Sequence, residues 1–206
     1  MSVKVECYVN GPLENNSYLI VKDSIALIVD PSGDCSELLR SVATRELDMR
    51  AVVLTHGHFD HIMGLDQVAA SFPSVPVYIH ALDLQMLKDP NLNGSYMLGR
   101  AYSYEGPTLE LAEGEIEIEG LKASVLHVPG HSPGGCALLF GDQCVSGDVL
   151  FHGSIGRSDL PGGDGPLLIK SIRQKLLSLP GQTKIFPGHG PDTTVGYENS
   201  HNMWFQ

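Results

Sequence analysis

The chain has 206 residues and a formal net charge of −11, with 24 acidic and 13 basic residues. Hydrophobic residues make up 42% and charged residues 18% of it, which is typical of a globular protein with a core of its own. The acidic balance disfavours nucleic acid as a partner, and no apolar run is long enough to span a bilayer. We therefore predict a single domain, residues 1–206, that binds neither nucleic acid nor a membrane.

The N-terminal residues alternate like a strand and lack the apolar core and cleavage site of a signal peptide, which favours a cytoplasmic location. The four cysteines, Cys7, Cys35, Cys136 and Cys144, form no C-x-x-C pair and lie in apolar or strand-like runs. We interpret them as reduced core residues rather than zinc ligands or disulfide partners. No feature predicts the oligomeric state.

In the first half of the chain, apolar alternation and short apolar runs predict strands at residues 3–9, 17–21, 25–29, 51–54 and 75–79. Apolar residues at helical intervals predict helices at residues 35–43, 62–72 and 81–88. Residues 89–107 have no clear period, so we expect a long surface loop or lid there.

In the second half, strands are predicted at residues 108–111, 115–119 and 121–127, followed by a hairpin of residues 135–140 and 143–146. Glu115, Glu117 and Glu119 are expected to face water. A helix from Asp164 to Leu179 has Asp164 as its predicted N-cap. A strand at 184–186 and a helix at 196–204 complete a mixed α and β protein.

The most unusual segment, THGHFDH at Thr55–His61, lies between a predicted strand and a predicted helix. In an extended loop His56 and His58 point the same way, whereas Asp60 and His61 at the start of a helix project to a neighbouring position. One loop could therefore serve two adjacent metal ions. A single histidine here would be explained as a solvated or capping residue, but four metal-binding side chain types in this order favour metal chemistry.

Three further candidate ligands, His131, Asp148 and His189, each follow an apolar run and stand beside glycine. Glycine and proline let the backbone turn sharply and let an ion approach closely. The alternative interpretation is that these glycines only serve tight turns and the polar residues happen to be adjacent. The repetition of the same context favours ligands.

These four segments, in this order, resemble the metallo-β-lactamase superfamily. The flanking segments GSIGRSD at 153–159 and GHGP at 188–191 resemble its glyoxalase II-like, or hydroxyacylglutathione hydrolase-like, branch. The resemblance covers residues 16–202. It implies an α+β fold, the four-layer αββα sandwich, with a metal site along one edge of two packed sheets.

The resemblance also implies a pair of divalent metal ions held by seven residues. The first ion is assigned to His56, His58 and His131, the second to Asp60, His61 and His189, and the bridging position to Asp148. Imidazole and carboxylate without thiolate suit zinc, iron(II) or manganese, of which we predict zinc. Two such ions, about 3.5–4 Å apart, share a hydroxide and polarise an acyl oxygen. Asp60 is expected to orient that hydroxide as a catalytic residue.

The predicted reaction is the hydrolysis of a small-molecule acyl thioester. We find no general acid beside the ligands, and a thiolate, with a parent pKa near 8.5, leaves without a proton more easily than an amide nitrogen does. Glyoxalase II enzymes hold glutathione with a C-terminal helical extension, and this sequence ends 17 residues after His189. The acyl thioester class is therefore better supported than glutathione as its carrier.

Two residues near the ligands keep two interpretations each. Arg157 either holds a substrate carboxylate or forms a surface ion pair with Asp159. His152 either lines the pocket and bonds a ligand or is structural. The other histidines are predicted to be structural: His80, His127 and His201.

Two other functions compete with thioester hydrolysis. The superfamily also contains persulfide dioxygenases, which hold a single iron with two histidines and one aspartate. A non-enzymatic module stabilised by metal is the third hypothesis. β-Lactam hydrolysis is disfavoured because the sequence lacks a secretion signal, and RNA processing is disfavoured by the acidic charge.

Overall fold

The structure is a computed structural model that describes residues 3–118 and 120–206, with all side chains except that of Leu98. The prediction for Glu119 lies outside the described residues. Six strands, β1 to β6, form the first sheet in chain order: Lys4–Asn10, Asn15–Lys22, Ile25–Val29, Asp48–Val53, Val77–Ile79 and Thr108–Glu110. The first three strands are antiparallel, and β3 to β6 run parallel.

A second six-stranded sheet has the order β14-β13-β10-β9-β8-β7. Its strands are β7 Gly114–Ile118, β8 Leu121–His127, β9 Cys136–Phe140, β10 Gln143–Gly147, β13 Lys184–Pro187 and β14 Thr193–Thr194. Only β10 and β13 pair in parallel among the described strands of this sheet. A small ribbon of β11 Leu150–Phe151 and β12 Ser154–Ile155 lies between β10 and the helix that follows.

The α-helices are α1 Ser36–Thr44, α2 Phe59–Ile62, α3 Leu65–Ser71, α4 Gly165–Lys175 and α5 Val195–His201. Turns of 3₁₀-helix occur at Ala81–Leu87, Ser95–Leu98 and Met203–Phe205. The predicted N-cap of α4 is confirmed, because the Asp164 carboxylate accepts a hydrogen bond from the Leu167 amide at 2.9 Å.

Three apolar clusters divide the molecule into layers. Leu19 and Ile28 point to one face of the first sheet and pack with α1 and α3. Their strand neighbours Ile20 and Leu27 point to the opposite face and pack against the second sheet. A third cluster joins the outer face of the second sheet to α4 and α5. The order of layers is therefore helix, sheet, sheet, helix, which confirms the α+β, αββα prediction.

The predicted helix at 62–72 is two helices, because the chain turns at Gly64 to pack against the residues after β3. The Gly64 amide donates to the Pro31 carbonyl at 2.9 Å. A Cβ on Gly64 would lie 2.5 Å from the Cys35 Sγ and 3.0 Å from the Pro31 carbonyl carbon. Glycine is thus required by a close backbone approach that no helical periodicity reveals.

Other predictions differ from the structure in detail. Cys7 was predicted to be a core residue, and this is wrong: it is exposed on the edge strand β1, whereas the other three cysteines are buried and all four are free. The predicted C-terminal helix ends at His201 and continues as a 3₁₀ turn. Within the expected loop at 89–107, Asn93 and Tyr104 are buried, so only part of that segment is a surface loop.

Among the described residues, no helix combines the length and the apolar character that crossing a bilayer demands.

Gly64→Ala should destabilise the protein by about 1–3 kcal/mol, because the added methyl group overpacks a filled site beside Cys35. Cys35→Ala removes the sulfur that the methyl group meets, so the double variant should lose less than the sum of the single losses. Denaturant unfolding of all four proteins measures this coupling. If the losses of unfolding free energy in the two single variants add up to that of the double variant, the contact with Cys35 is not what requires glycine at position 64.

Candidate metal centre

The seven predicted ligands lie on loops that follow strands, at one edge of the two sheets. His56 and His58 follow β4 and lead into α2, which carries Asp60 and His61. The remaining three, His131, Asp148 and His189, follow β8, β10 and β13. Backbone hydrogen bonds join the two sheets here, from the Cys136 amide to the Thr55 carbonyl at 2.8 Å and from the Asn16 amide to the Gly188 carbonyl at 2.7 Å.

His56, His58 and His131 form a first cluster of three buried imidazoles. The His58 Nδ1 lies 2.8 Å from the His131 Nε2, which lies 3.2 Å from the His56 Nε2. One nitrogen of each ring therefore points to a common centre, and this is the predicted first ligand set.

Asp60, His61, Asp148 and His189 form the second cluster. The His189 Nε2 lies 3.1 Å from the Asp60 Oδ2, and the His61 Nε2 lies 3.2 Å from the Asp148 Oδ1. The other oxygen of Asp148 is 3.5 Å from the His189 Nε2 and 3.7 Å from the His131 Nε2. Asp148 thus faces both clusters, as a bridging carboxylate must.

Hydrogen bonds to the outer ring nitrogens fix how these imidazoles are oriented. The His131 Nδ1 donates to the Arg157 carbonyl at 2.7 Å, and the His189 Nδ1 donates to the Leu13 carbonyl at 3.1 Å. The His61 Nδ1 donates to the Asp30 Oδ2 at 2.8 Å. Since each outer nitrogen carries a proton, the inner nitrogen of each neutral ring presents a lone pair, the usual arrangement of metal-binding histidines.

His56 is oriented through Thr55. The Thr55 hydroxyl gives its one proton to the Asp30 Oδ2 at 2.5 Å, so it accepts from the His56 Nδ1 at 3.0 Å. The His56 Nε2 is therefore unprotonated. It faces the His131 Nε2 across 3.2 Å, and because the His131 Nδ1 donates to the Arg157 carbonyl, the neutral form of that ring also presents a lone pair there.

The first cluster has too few protons to satisfy its own nitrogens. Burial lowers the pKa of His58 to about 3, with help from the neighbouring His131, so His58 is neutral and has one N–H. If its Nδ1 carries the proton, the Nε2 lone pair is buried without a partner; if the Nε2 carries it, that N–H is buried without an acceptor. An unpaired buried group costs about 1–3 kcal/mol. A cation at the centre would bind the three nitrogens that face it, the His58 Nδ1 and the Nε2 atoms of His56 and His131, so the residues fit a metal ion, with the His58 Nε2 proton on the other side of the ring.

The second cluster has an excess of negative charge. Burial alone would raise the pKa of Asp148, but His61 and His189 outweigh it and hold that pKa well below its usual value. Burial alone would lower the pKa of His189, but Asp148 and Asp60 raise it to about 10. Without an ion, protons on the histidines neutralise the carboxylates, and a divalent cation supplies the same positive charge.

Sequence reasoning missed Asp30 and Asp83, two buried carboxylates that hold the ligand loops. Asp30 binds His61 and the Thr55 hydroxyl, and its Oδ1 accepts from the Thr55 amide at 2.7 Å. It follows the apolar strand β3, the same context as Asp148, and that signal could have found it. Asp83 accepts from the Ser132 hydroxyl and the Gly134 amide, both at 2.6 Å, and from the Gly57 amide at 3.2 Å. It thereby ties the His58 loop to the His131 loop.

A cavity of about 530 Å³ opens beside the clusters and is reached by side chains of both. Arg157 lines it and pairs with Asp159 through two hydrogen bonds of 2.7 and 2.8 Å, so the predicted ion pair is present, and binding of a substrate carboxylate stays a prediction. His152 does not line this cavity. Its ring stacks on Tyr197 with centroids 4.6 Å apart, which favours the structural interpretation.

The other histidines are held by neighbours. The His80 and His127 rings stack with centroids 4.3 Å apart, and the His127 Nε2 donates to the Pro133 carbonyl at 2.9 Å. The His201 ring stacks on the Tyr197 ring, one turn earlier on α5, with centroids 4.6 Å apart. These contacts agree with the predicted structural roles.

Comparison with known proteins supports the fold and assigns the family. A model of the metallo-beta-lactamase superfamily matches residues 10–189, most of the chain. The chain belongs to the metallo-beta-lactamase superfamily. Among relatives, the probable metallo-hydrolase YqgX of Bacillus subtilis is 41% identical over 93% of this chain and 92% of its own length. The hydroxyacylglutathione hydrolase GloC of Haemophilus influenzae is 33% identical over 92% of this chain and 91% of its own length.

Two solved structures are similar over nearly the whole chain. The BLEG-1 B3 metallo-beta-lactamase superimposes with a TM-score of 0.94 at 42% identity, covering 98% of this chain and all (100%) of its own. A di-iron-bound form of TTHA1623 gives a TM-score of 0.88 at 39% identity, covering 97% of this chain and 100% of its own. The superfamily binds divalent metals, and the metallo-hydrolase relatives together with the His/Asp clusters support a metallo-hydrolase with a candidate divalent metal site.

Gly188→Ala should reduce metal binding more than it reduces stability. A Cβ at this position would lie 2.0 Å from the Asp148 Oδ1 and 2.7 Å from the His61 Cε1, so one of these two residues must move. Gly181→Ala is a matched control, because its Cβ meets only Gly196 at 3.7 Å, an ordinary contact. We expect metal analysis after dialysis to show less than the full content for the Gly188 variant alone. Full retention of metal by that variant would contradict the close approach.

Asp30→Asn should weaken metal binding by about 10–100-fold, because the His61 Nδ1 and the Thr55 hydroxyl lose their common charged acceptor. Competition with a chromogenic chelator measures the affinity. Asp34→Asn, an exposed change four residues away, is the control and should leave affinity unchanged. Equal affinities of the two variants would show that Asp30 does not orient the ligands.

Proposed function

We propose that this superfamily member is a dinuclear metal-dependent hydrolase that cleaves acyl thioesters. The observation that carries the proposal is the pair of donor clusters that Asp148 joins and that open into one cavity. In this proposal His56, His58 and His131 hold one ion, and Asp60, His61 and His189 hold the other. Asp148, which faces both clusters, would hold both ions.

A pair of ions supplies an acidified water molecule and polarises the acyl oxygen of the substrate. Zinc is the proposed metal because the donors are imidazole and carboxylate, and the di-iron form of TTHA1623 makes iron a candidate to be assayed beside it. The chain's own residues orient the reactants. Asp60 lines the cavity beside His189, so we assign it the role of orienting the attacking water.

The titratable residues of the cavity favour a thiolate as the leaving group. Among the described residues that line the cavity, the titratable ones are Arg157 and members of the two clusters. A side chain that holds a cation has no proton to donate, and a guanidinium keeps its proton. In thioester hydrolysis water adds its oxygen to the acyl carbon, and the C–S bond breaks with its electron pair on sulfur. That thiolate, with a parent pKa near 8.5, needs no acid.

The relatives support the same reaction class. The name of GloC states hydroxyacylglutathione hydrolysis, which is cleavage of a thioester, and YqgX is named as a metallo-hydrolase. A small-molecule thioester in the cytoplasm remains our prediction for the substrate and its location. The mononuclear persulfide dioxygenase remains the alternative, although seven converging donors exceed what a single iron uses.

β-Lactam hydrolysis is a second candidate because one specific observation favours it, the similarity to BLEG-1 at a TM-score of 0.94. An amide nitrogen needs a proton when it leaves, and the described cavity residues offer none. We therefore rank it below thioester hydrolysis and include it in the test.

The test uses the purified chain, stripped of metal and reloaded separately with zinc, iron(II) and manganese. We expect two ions per chain and turnover of acyl thioesters faster than of oxygen esters or a chromogenic cephalosporin. Asp148→Asn should lower kcat/KM by more than about 100-fold. Loss of a residue that only hydrogen-bonds to a metal ligand costs up to about 100-fold, and loss of a ligand itself should cost more. Asp142→Asn, an exposed change in the β9–β10 turn, is the matched control.

Three results would overturn the proposal. Turnover of the cephalosporin alone would assign the site to β-lactams. One iron per chain with oxygen uptake on glutathione persulfide would assign it to the dioxygenase. Metal-dependent folding without turnover of any substrate in the panel would assign the ions a purely structural role.

A further inference from the structure

The wall of the cavity beside the two donor clusters is largely apolar. Six large apolar side chains line it: Leu13, Phe59, Met97, Phe151, Ile155 and Leu160. Two of them are strongly exposed, Leu13 at 48% and Met97 at 64% of their full surface. Exposed apolar side chains gathered around a concave site mark a surface that a ligand covers.

The apolar wall reaches the donors themselves. The Phe151 ring lies edge-on to the His189 ring, with centroids 6.1 Å apart. Gly94 lies between Met97 and Phe59, because a Cβ there would be 3.2 Å from the Met97 Cε and 3.5 Å from the Phe59 Cδ1. Met97 therefore extends the surface of Phe59, whose neighbour in sequence is Asp60. An apolar group bound here adjoins the reacting centre.

The charge around the cavity does not suit an anionic substrate. Arg157 is the one cationic side chain among the described lining residues, apart from the histidines of the clusters. Two of the five N–H donors of its guanidinium, at Nε and Nη2, bind the two oxygens of Asp159 in a paired, fork-like geometry. The pair has no net charge, and the whole chain carries −11. A carboxylate on the substrate would meet a neutralised arginine.

We infer that the cavity selects thioesters with an apolar acyl group on an uncharged thiol carrier, and that Asp159 sets this preference by occupying Arg157. This inference rests on the proposed thioester hydrolysis and names its substrate class. Glutathione carries two carboxylates and coenzyme A carries phosphates, so both are disfavoured carriers. The relative GloC is named for a glutathione substrate, so the carrier is the point on which the two proteins are expected to differ.

The first experiment varies the acyl group on one uncharged thiol, N-acetylcysteamine, with the metal-loaded protein. Since each buried methylene favours binding, kcat/KM should rise from acetyl through butyryl to octanoyl, by at least about tenfold overall. Leu13→Ala and Met97→Ala should reduce this octanoyl-to-acetyl ratio. The Leu13 change keeps the backbone carbonyl that accepts from His189. Met203→Ala, at an exposed methionine outside the cavity, is the matched control for Met97 and should keep the ratio.

The second experiment varies the carrier at constant acyl group, comparing butyryl-N-acetylcysteamine with S-butyrylglutathione. The parent protein should prefer the uncharged carrier. Asp159→Asn frees the guanidinium of Arg157, so it should shift the ratio of the two kcat/KM values toward glutathione by about 3–10-fold. The double change Arg157→Gln with Asp159→Asn should abolish that shift. Asp48→Asn removes a similar exposed pair, with Arg50, far from the cavity and is the control.

The outcomes separate this inference from the proposed function. Absence of turnover on all thioesters would remove the proposed function and the inference with it. Turnover that favours S-butyrylglutathione, or that is indifferent to acyl length, would overturn the inference and leave thioester hydrolysis standing. An Asp159→Asn variant with an unchanged carrier ratio would overturn the role of Asp159.

Discussion

The constraint on which this structure depends is electrostatic: lone pairs and carboxylates face one another in a buried space. The inner nitrogens of His56 and His131 lie 3.2 Å apart, the Asp148 Oδ2 lies 3.7 Å from the His131 Nε2, and the Asp60 Oδ2 lies 3.1 Å from the His189 Nε2. Such groups repel one another and lose the solvation that water gives them. Positive charge must therefore accompany the fold, as protons or as metal ions.

The layered architecture supplies the rigidity that this crowding requires. Each ligand loop begins where a buried strand ends, and the two sheets meet through an apolar interface. Asp30 and Asp83 then hold the ligand loops through buried hydrogen bonds, and glycine at position 188 leaves room for the Asp148 carboxylate. Packing thus sets the coarse positions, and buried hydrogen bonds set which nitrogen each ring directs inward.

Four donors were found in the sequence because they crowd the segment 56–61, and three because each follows an apolar run and stands beside glycine, whereas the four-layer class was implied by the resemblance to the superfamily. The structure places those seven in two adjacent clusters. Asp83 had no such signature, since its partners at Gly57, Ser132 and Gly134 are close only in the folded chain. The predictions for Cys7 and for an unbroken helix across Gly64 were wrong for a related reason. Exposure on an edge strand and close backbone contacts depend on the tertiary structure, which hydrophobic periodicity does not reveal.

The division of donors along the chain has a consequence for biosynthesis. Each cluster takes members from the segment 56–61 and from residues at or beyond 131, so neither cluster exists in an N-terminal fragment. A nascent chain displays four metal-capable side chains long before their counterparts leave the ribosome. The first cluster is therefore complete only once residue 131 has been made, and the second only once residue 189 has been made.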